Sequence, residues 1–372
     1  MGVRLIPNLS ARSGSATRVP AGSCPFTIAP RIVSTIFSRS VMWLSMLILS
    51  FCIFRSFASL TANVCSIQKP VKVIRPLSSG GSPCPGLPRA VSSPGCSAIQ
   101  HPVEGFREER MAWTIHSTVP FPMLERGETC ALLAEHRVGP EIYLSAETLD
   151  SLTPARAGAA AEALQAAGVS SLTFHAPFED LCAGARDEEV RRLTVRRLKQ
   201  AIALAPLFRP AGIVMHGGYS EWMFDFQPDR WLVQARKTYS EVAEAAETAG
   251  VSIFLENVFD EIPDHLLRLR EAVGSERIGF CCDPGHATLF SRLPIQKWVE
   301  AFAPALGEMH LHDNRGLRDD HLPIGEGSIN FRGVILAAVD AGARPILTVE
   351  PHRREHFPRA VDNLRALLSD LA

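Results

Sequence analysis

Between Glu308 and Gly327 the chain reads E-M-H-L-H-D-N-R-G-L-R-D-D-H-L-P-I-G-E-G, a stretch crowded with His310, His312, Asp313, Asp319, Asp320 and His321. Neutral imidazoles and carboxylates are the donors that a Zn²⁺- or Mn²⁺-like ion takes. The stretch begins as a short apolar-alternating strand, Glu308–Leu311, and then breaks into a loop. Asp319 and His321, two residues apart, fall on one side of an extended segment. In isolation a solvated acidic loop would carry the same letters. What points to chemistry is that similar residues recur where other strands end.

Those strands belong to a regular alternation that starts at Met111. Short apolar strands are each followed by a longer amphipathic segment, the pattern of parallel βα units. Trp113–Ser117 precedes a helix over Leu124–Arg137, and Glu141–Ser145 precedes Pro154–Ala167. Ser171–His175 leads to Asp187–Leu207, and Gly212–His216 leads through an aromatic loop to Trp231–Ala249. Ser252–Glu256 precedes Asp264–Val273, and Ile278–Asp283 precedes Ile295–Leu306. Glu308–Leu311 precedes Phe331–Ala341, and Pro345–Glu350 precedes Arg359–Leu371. Helix stops such as Ala249-Gly250 and Ala341-Gly342 fall where expected. Eight such units predict an α/β fold of the (β/α)₈ TIM-barrel kind. A doubly wound open sheet is the alternative, but no G-x-G-x-x-G fingerprint follows the first strand.

In a (β/α)₈ barrel the chemistry sits at the C-terminal ends of the strands, where side chains converge on one mouth. Read there, the third strand ends in His175 and the fourth in His216. The fifth ends in Glu256, and the sixth gives Asp283 and His286 in C-D-P-G-H. The seventh gives His310, then Asp319 and His321 in its loop, and the eighth ends in Glu350. Alone, each has an ordinary explanation: a hydrogen-bonded histidine or a solvated glutamate. Together they would leave carboxylates uncompensated unless cations neutralised them, so the set predicts a metal site.

With these residues in view, the body resembles the xylose isomerase-like TIM-barrel superfamily, which includes endonuclease IV-type phosphodiesterases and sugar or sugar-phosphate isomerases and epimerases. The resemblance covers residues 111–372. It rests on D-P-G-H, on H-L-H-D-N with D-D-H-x-P-I-G-E-G, and on the glutamate of the last strand. In endonuclease IV-like members nine ligands hold three zinc ions. The resemblance implies that set here as His175, His216, Glu256, Asp283, His286, His310, Asp319, His321 and Glu350. Epimerase-type members use a single manganese or magnesium ion, implying the smaller set Glu256, Asp283, His310 and Glu350.

Two chemistries are therefore open. In the hydrolytic one, ions polarise a phosphoryl oxygen and supply hydroxide near neutral pH. Glu256 and Glu350 are then the catalytic carboxylates, with Glu256 steering water. In the epimerising one, Glu256 and Glu350 flank the substrate as base and acid, and His286 binds a hydroxyl. The histidines beyond the single-ion set tip the reading to hydrolysis.

The loop after His216 carries Tyr219, Trp222, Phe224 and Phe226, readable either as a lid or as packing over the rim. Arg315, Arg318, Arg353 and Arg354 follow the seventh and eighth strands, where barrels often bind phosphate. Trp222, Arg315 and Arg353 are accordingly the candidate substrate contacts. The expected substrate is small and phosphorylated or polyhydroxylated.

Charge supports a small substrate. Residues 1–110 hold 12 Lys and Arg against 3 Asp and Glu, leaving 26 basic and 36 acidic residues in the body. An acidic body argues against tight, general binding of a nucleic acid, which needs Lys and Arg to replace counterions. Cys24, Cys52, Cys65, Cys84 and Cys96 of the first segment show no metal or disulfide spacing. Cys130, Cys182, Cys281 and Cys282 of the body read as thiols of a reduced compartment.

Residues 1–110 form a Pro- and Ser-rich extension with no sustained period, and composition predicts disorder. Within it, Val41–Phe54 is too short to be a firm membrane span and suits a signal core, with Ser56-Phe57-Ala58 as its cleavage site. Because Met111 directly precedes the first strand, the expectation is a natural start there and a cytoplasmic protein. A working signal at Val41–Phe54 would instead mean export or anchoring.

Overall fold

A computed structural model describes residues 113–371, so the extension with its apolar run lies outside the described residues. Eight parallel strands close into a barrel in sequence order: β1 (Ile115–Pro120), β2 (Gly139–Tyr143), β3 (Thr173–His175), β4 (Ile213–His216), β5 (Ile253–Glu256), β6 (Ile278–Cys282), β7 (Leu306–Leu311) and β8 (Ile346–Val349). Helices follow the strands and pack outside, as the alternation predicts. Among the described residues no helix is long and apolar enough to cross a membrane.

The outer layer forms because each long helix has one apolar stripe. In Pro228–Ala249 the buried residues Trp231, Ala235, Thr238, Tyr239, Val242, Ala243 and Ala246 recur every three or four positions, which keeps them on one face. Gly250, at φ 69°, ends that helix in the left-handed conformation that glycine adopts without strain. On the inner face the period is two. Along successive strands Glu141 and Tyr143, Thr173 and His175, Val214 and His216, and Phe254 and Glu256 alternate with residues of the outer core. The lower members make a closed floor, with Val214, Phe254 and Cys281 forming a small apolar cluster of their own. Cys282, the neighbour of Cys281, packs into the outer core. Cys130, Cys281 and Cys282 are buried and Cys182 is partly so, all four as free thiols.

Several element ends differ from the sequence-based expectation, each for a local reason. The second strand stops at Tyr143 because Ser145 caps a short helix, Ala146–Ser151, its Oγ accepting from Thr148 N at 3.1 Å. The long charged helix ends at Ile202, and a separate turn, Ala205–Phe208, follows with Pro206 in its first turn. Pro304 lies in a 3₁₀ turn, Ala303–Ala305, so the helix that begins at Ile295 ends at Phe302 and β7 starts early. A further helix, Pro284–Phe290, starts immediately after β6 with Asp283 as its cap.

Candidate metal centre at the barrel mouth

The nine sequence-predicted donors all meet at the C-terminal mouth. Register brings them there: His175 lies beside Tyr143 and Val214, His216 beside Glu256, and His310 beside Thr348. Glu256 is central. Its Oε2 lies 3.3 Å from His175 Nε2 and 3.1 Å from His216 Nε2. Its Oε1 lies 3.3 Å from both His286 Nδ1 and His310 Nδ1. His310 Nδ1 also faces Glu350 Oε1 at 3.4 Å, and His286 Nε2 faces Asp319 Oδ2 at 3.4 Å.

These separations carry information. A charge-assisted N–H···O bond is about 2.7–2.9 Å long. Two donors, each about 2.0–2.1 Å from one tetrahedral ion, stand roughly 3.3 Å apart. The spacings of Glu256 to His175, His216 and His310, 3.1–3.3 Å, are longer than a charge-assisted bond and close to the second figure, while still within hydrogen-bond reach.

The opposite ring nitrogens make ordinary hydrogen bonds, and these assign the tautomers. His175 Nδ1–H donates to Ala176 O at 2.9 Å, and His321 Nδ1–H donates to Glu350 O at 3.0 Å. His286 Nδ1–H donates to Asn257 O at 3.1 Å, and His310 Nε2–H donates to Glu141 Oε2 at 2.8 Å. His175 and His310 thus each present a lone pair to the centre while a carbonyl or carboxylate anchors the far side, the arrangement that orients metal-bound histidines. His286 offers Nε2, toward Asp319, and His321 Nε2 lies 3.0 Å from Asp319 Oδ2, at hydrogen-bond length. His310 Nδ1 is buried with no hydrogen-bond partner. A divalent ion would satisfy it, and the donor set fits one or more such ions.

Electrostatics agree. Burial would push the Glu256 carboxyl up, but the His310 and His216 charges and the His175 and His216 hydrogen bonds outweigh it and hold it well below the usual range. Burial opposes charge on His175, yet the Glu256 hydrogen bond and the Glu141 and Glu256 charges raise it to about 9. Burial wins at His216, which is pushed down. Buried negative charge therefore draws positive charge to this spot.

The scaffold behind the donors is equally specific. Trp231 Nε1 donates to Gly217 O at 3.1 Å and Tyr239 Oη to His216 O at 2.6 Å, fixing the backbone where β4 ends. Asn257 clamps Asp283, donating to its carbonyl and accepting from its N–H, both at 2.8 Å. Asp283 Oδ1 in turn accepts from His286 N at 2.8 Å, which sets the short helix that carries His286. The loop after β7 folds around Asp313. Its carboxylate accepts from the N–H groups of Asn314, Gly325, Gly327 and Ile329 at 2.9, 2.9, 2.9 and 3.1 Å. A Cβ at position 327 would sit 2.2 Å from Asp313 Oδ1, which is why glycine stands there. The I-G-E-G motif is thus a loop staple, and Asp313 is its acceptor rather than a donor to the centre. Asp320 pairs with Arg318 at 3.2 Å.

Above the donors opens a cavity of about 660 Å³. His175, His216, Glu256, His286, Asp319, His321 and Glu350 form its polar side, and Val119, Met123, Leu132, Phe178, Phe259, Phe290 and Phe357 its apolar walls. Asp283 and His310 lie beneath, fully buried.

The three candidate substrate contacts stand elsewhere. Trp222 is 84% exposed, packed edge-on to Phe226, and Arg315 donates to Glu326 O at 3.2 Å. Arg353 is exposed, and none of the three lines the cavity. Tyr219 and Phe224 are buried packing. Arg354, paired with Glu128 at 3.0 Å, reaches the cavity instead.

The structure also adds residues that the strand-end reading left out of the nine. His312 is buried between Asp283, Asp319 and the parallel ring of His321, whose centroid is 3.7 Å away. Its position two residues beyond His310 was the available signal. His352 stacks on the other side of His321 at 3.4 Å, and Tyr143 lines the cavity. Glu141 and Glu308 lie under the centre, grouped with His310. The sequence reading sets them at the starts of their strands, away from the mouth, whereas in the structure they lie within β2 and β7.

Comparison with known proteins places the chain in a family. Residues 141–369, more than half the chain, match the xylose isomerase-like TIM barrels, and the protein belongs to that family. An uncharacterized protein of Methanocaldococcus jannaschii is 32% identical over 186 residues, 48% of this chain and 64% of that protein, so less than two thirds of that relative is spanned. A protein named probable endonuclease 4 from Mycobacterium leprae is 28% identical over 192 residues, 49% of this chain and 74% of its own. A solved D-tagatose 3-epimerase-like protein superposes with a TM-score of 0.61 at 27% identity, over 68% of this chain and 97% of its own. The names of these relatives divide between the two chemistries that the donors allow.

Proposed function

We propose that the barrel, residues 111–372, is a divalent-metal-dependent hydrolase of phosphoesters on a small substrate. The observation that carries this is the size of the inward-facing donor set. His175, His216 and His286 gather around Glu256, and His286 and His321 both face Asp319, beyond what one ion requires. Divalent ions bound there, zinc in up to three places, would supply Lewis-acid polarisation of a phosphoryl oxygen and a lowered pKa of water.

The chain's own residues do the rest. Glu256, with both oxygens among imidazoles, is held ionised as an anchor. Glu350, at the cavity edge beside Thr118 Oγ1 at 3.3 Å, is placed to take a proton from entering water. The apolar walls exclude bulk water and strengthen charge interactions inside. A cavity of about 660 Å³ is of small-molecule size, which supports a phosphorylated or polyhydroxylated compound over a long polymer.

A second reading has its own support. Glu256 and Glu350 both face His310 Nδ1, and Asp283, His310 and Glu350 form a compact group. That subset suits a single manganese or magnesium ion with the two glutamates as base and acid of an epimerase, in keeping with the D-tagatose 3-epimerase-like neighbour.

Elemental analysis of the purified full chain, beside a His175→Ala/His216→Ala double variant, separates the two. About three zinc-like ions per chain, fewer in the double variant, support hydrolysis and direct assays to phosphodiesters and sugar phosphates. One exchangeable ion, indifferent to the double variant, overturns it and directs assays to ketose epimerisation. Cleavage of an oligonucleotide in preference to small esters would overturn the small substrate.

A further inference from the structure

We propose that His312 is a tenth metal donor, binding through Nδ1 on the side of the centre held by Asp283 and Asp319. The inference rests on the reading of the mouth as a metal centre, and it adds a ligand that the nine-residue set does not contain.

Strand geometry comes first. His310 ends the inward run of β7, and His312, two residues on, continues the same face. Its ring is then treated by its neighbours as the other site histidines are treated by theirs. His312 Nε2 lies 3.0 Å from Asp283 Oδ2, at hydrogen-bond length, which places the proton on Nε2. Nδ1 is left with a lone pair, buried, and without a hydrogen-bond partner. The nearest carboxylate oxygen to Nδ1 is Asp319 Oδ1 at 3.5 Å, too long for a charge-assisted bond and close to the roughly 3.3 Å expected of two ligands on one ion. His310 shows the same pairing of one bonded nitrogen with one buried, unpartnered Nδ1.

A buried nitrogen lone pair without a donor costs on the order of 1–3 kcal/mol, a cost that an ion at Nδ1 would remove. The surroundings have also been cleared for this ring. A Cβ at position 285 would stand 2.2 Å from His312 Cε1 and 2.8 Å from its Nδ1. Gly285 lies inside the helix Pro284–Phe290, where alanine would be the better helix former. Glycine there is explained by the ring it admits.

Three variants of the full chain test the assignment, read by zinc content after dialysis and by zinc competition with a chromophoric chelator. His312→Gln keeps an N–H able to reach Asp283 but removes the Nδ1 donor. His312→Asn removes both. Gly285→Ala leaves the imidazole in the chain and displaces it. The expected result is about one ion fewer per chain, or a weakest ion bound at least roughly tenfold less tightly, in all three. Binding restored to the unsubstituted level in His312→Gln, with loss in His312→Asn, would show that His312 only steers Asp283 and would overturn the proposal. Unchanged binding in all three would overturn it as well. If the unsubstituted chain itself holds no ion, the metal-centre reading fails first, an outcome distinct from either.

Discussion

Two polar layers lie one above the other inside this barrel, and they close their charges differently. In the lower layer Glu308 Oε1 accepts from Thr173 Oγ1 at 3.0 Å and from Thr348 Oγ1. Glu141 accepts from Thr118 and His310 at 2.8 Å, and His116 spans Thr173 and Ser171 at 3.1 and 3.0 Å. Most of these contacts are at hydrogen-bond length, and Glu141, Glu308, His116, Thr173 and Thr348 are buried. In the upper layer the imidazoles around Glu256 stand 3.1–3.3 Å from its oxygens, with His312–Asp283 and His321–Asp319 closer at 3.0 Å, and the layer opens onto a cavity. On the proposed reading, the same residue types serve as structure where they bond to each other and as ligands where they are held slightly apart. What separates the two most clearly is that only the upper one opens onto the cavity.

The sharpest way to break this comparison is at Glu256. Its neutral isostere, Glu256→Gln, should lower kcat/KM by roughly a thousandfold or more and strip bound metal, since four imidazoles face that carboxylate. Retained metal with near-normal turnover would show the upper layer to be structural after all.

The lower layer should ignore chelators and respond to pH. Burial first, then the Glu141 charge, raises the Glu308 carboxyl to about 8, so the fold favours its neutral form. Stability from this group is full below its unfolded pKa of about 4.5 and is lost as pH rises through about 8. Glu308→Gln should remove that loss, leaving the variant more stable than the original chain by a few kcal/mol at pH 9. Denaturant titrations at pH 6 and 9 would show it, and parallel losses in both proteins would contradict the assignment.

His116 tests the acid side with a smaller effect. Burial, partly opposed by Glu141, lowers its pKa to about 4, so the fold favours the neutral ring. Stability is full above about 6.5 and falls as pH drops toward 4, by on the order of 3 kcal/mol. A His116→Gln variant should show a shallower decline across that window in thermal unfolding. The smallest effect belongs to the rim: Trp222→Ala, at an 84% exposed position outside the cavity, should change KM by less than about twofold. A tenfold rise would restore the loop as a lid.

Legibility from sequence followed the same division. The eight units were readable because each strand's period of two and each helix's stripe are local patterns. That the nine side chains meet was readable because strand ends in such a barrel share one mouth. The lower layer was not, since Glu141 and Glu308 sit mid-strand, and only closure of the barrel brings β2, β3, β7 and β8 around one point. Trp222, Arg315 and Arg353 were placed by loop membership, but side-chain direction, which loops do not reveal in sequence, turns them outward. Asp313 looked like a ligand because an acceptor of four N–H groups and an acceptor for a cation have the same chemistry.

That last residue has a consequence for how the centre is assembled. The loop carrying Asp319 and His321 is tied to its own carboxylate at Asp313, and the backbones of Asp313 and Leu322 pair with each other at 2.8 Å. Its shape is therefore set by internal bonds that owe nothing to an ion. On the proposed reading, a cation would meet a loop already braced by the chain's own bonds. The same self-sufficiency makes the segment a cassette, one that fixes Asp319 and His321 without relying on the neighbouring loops.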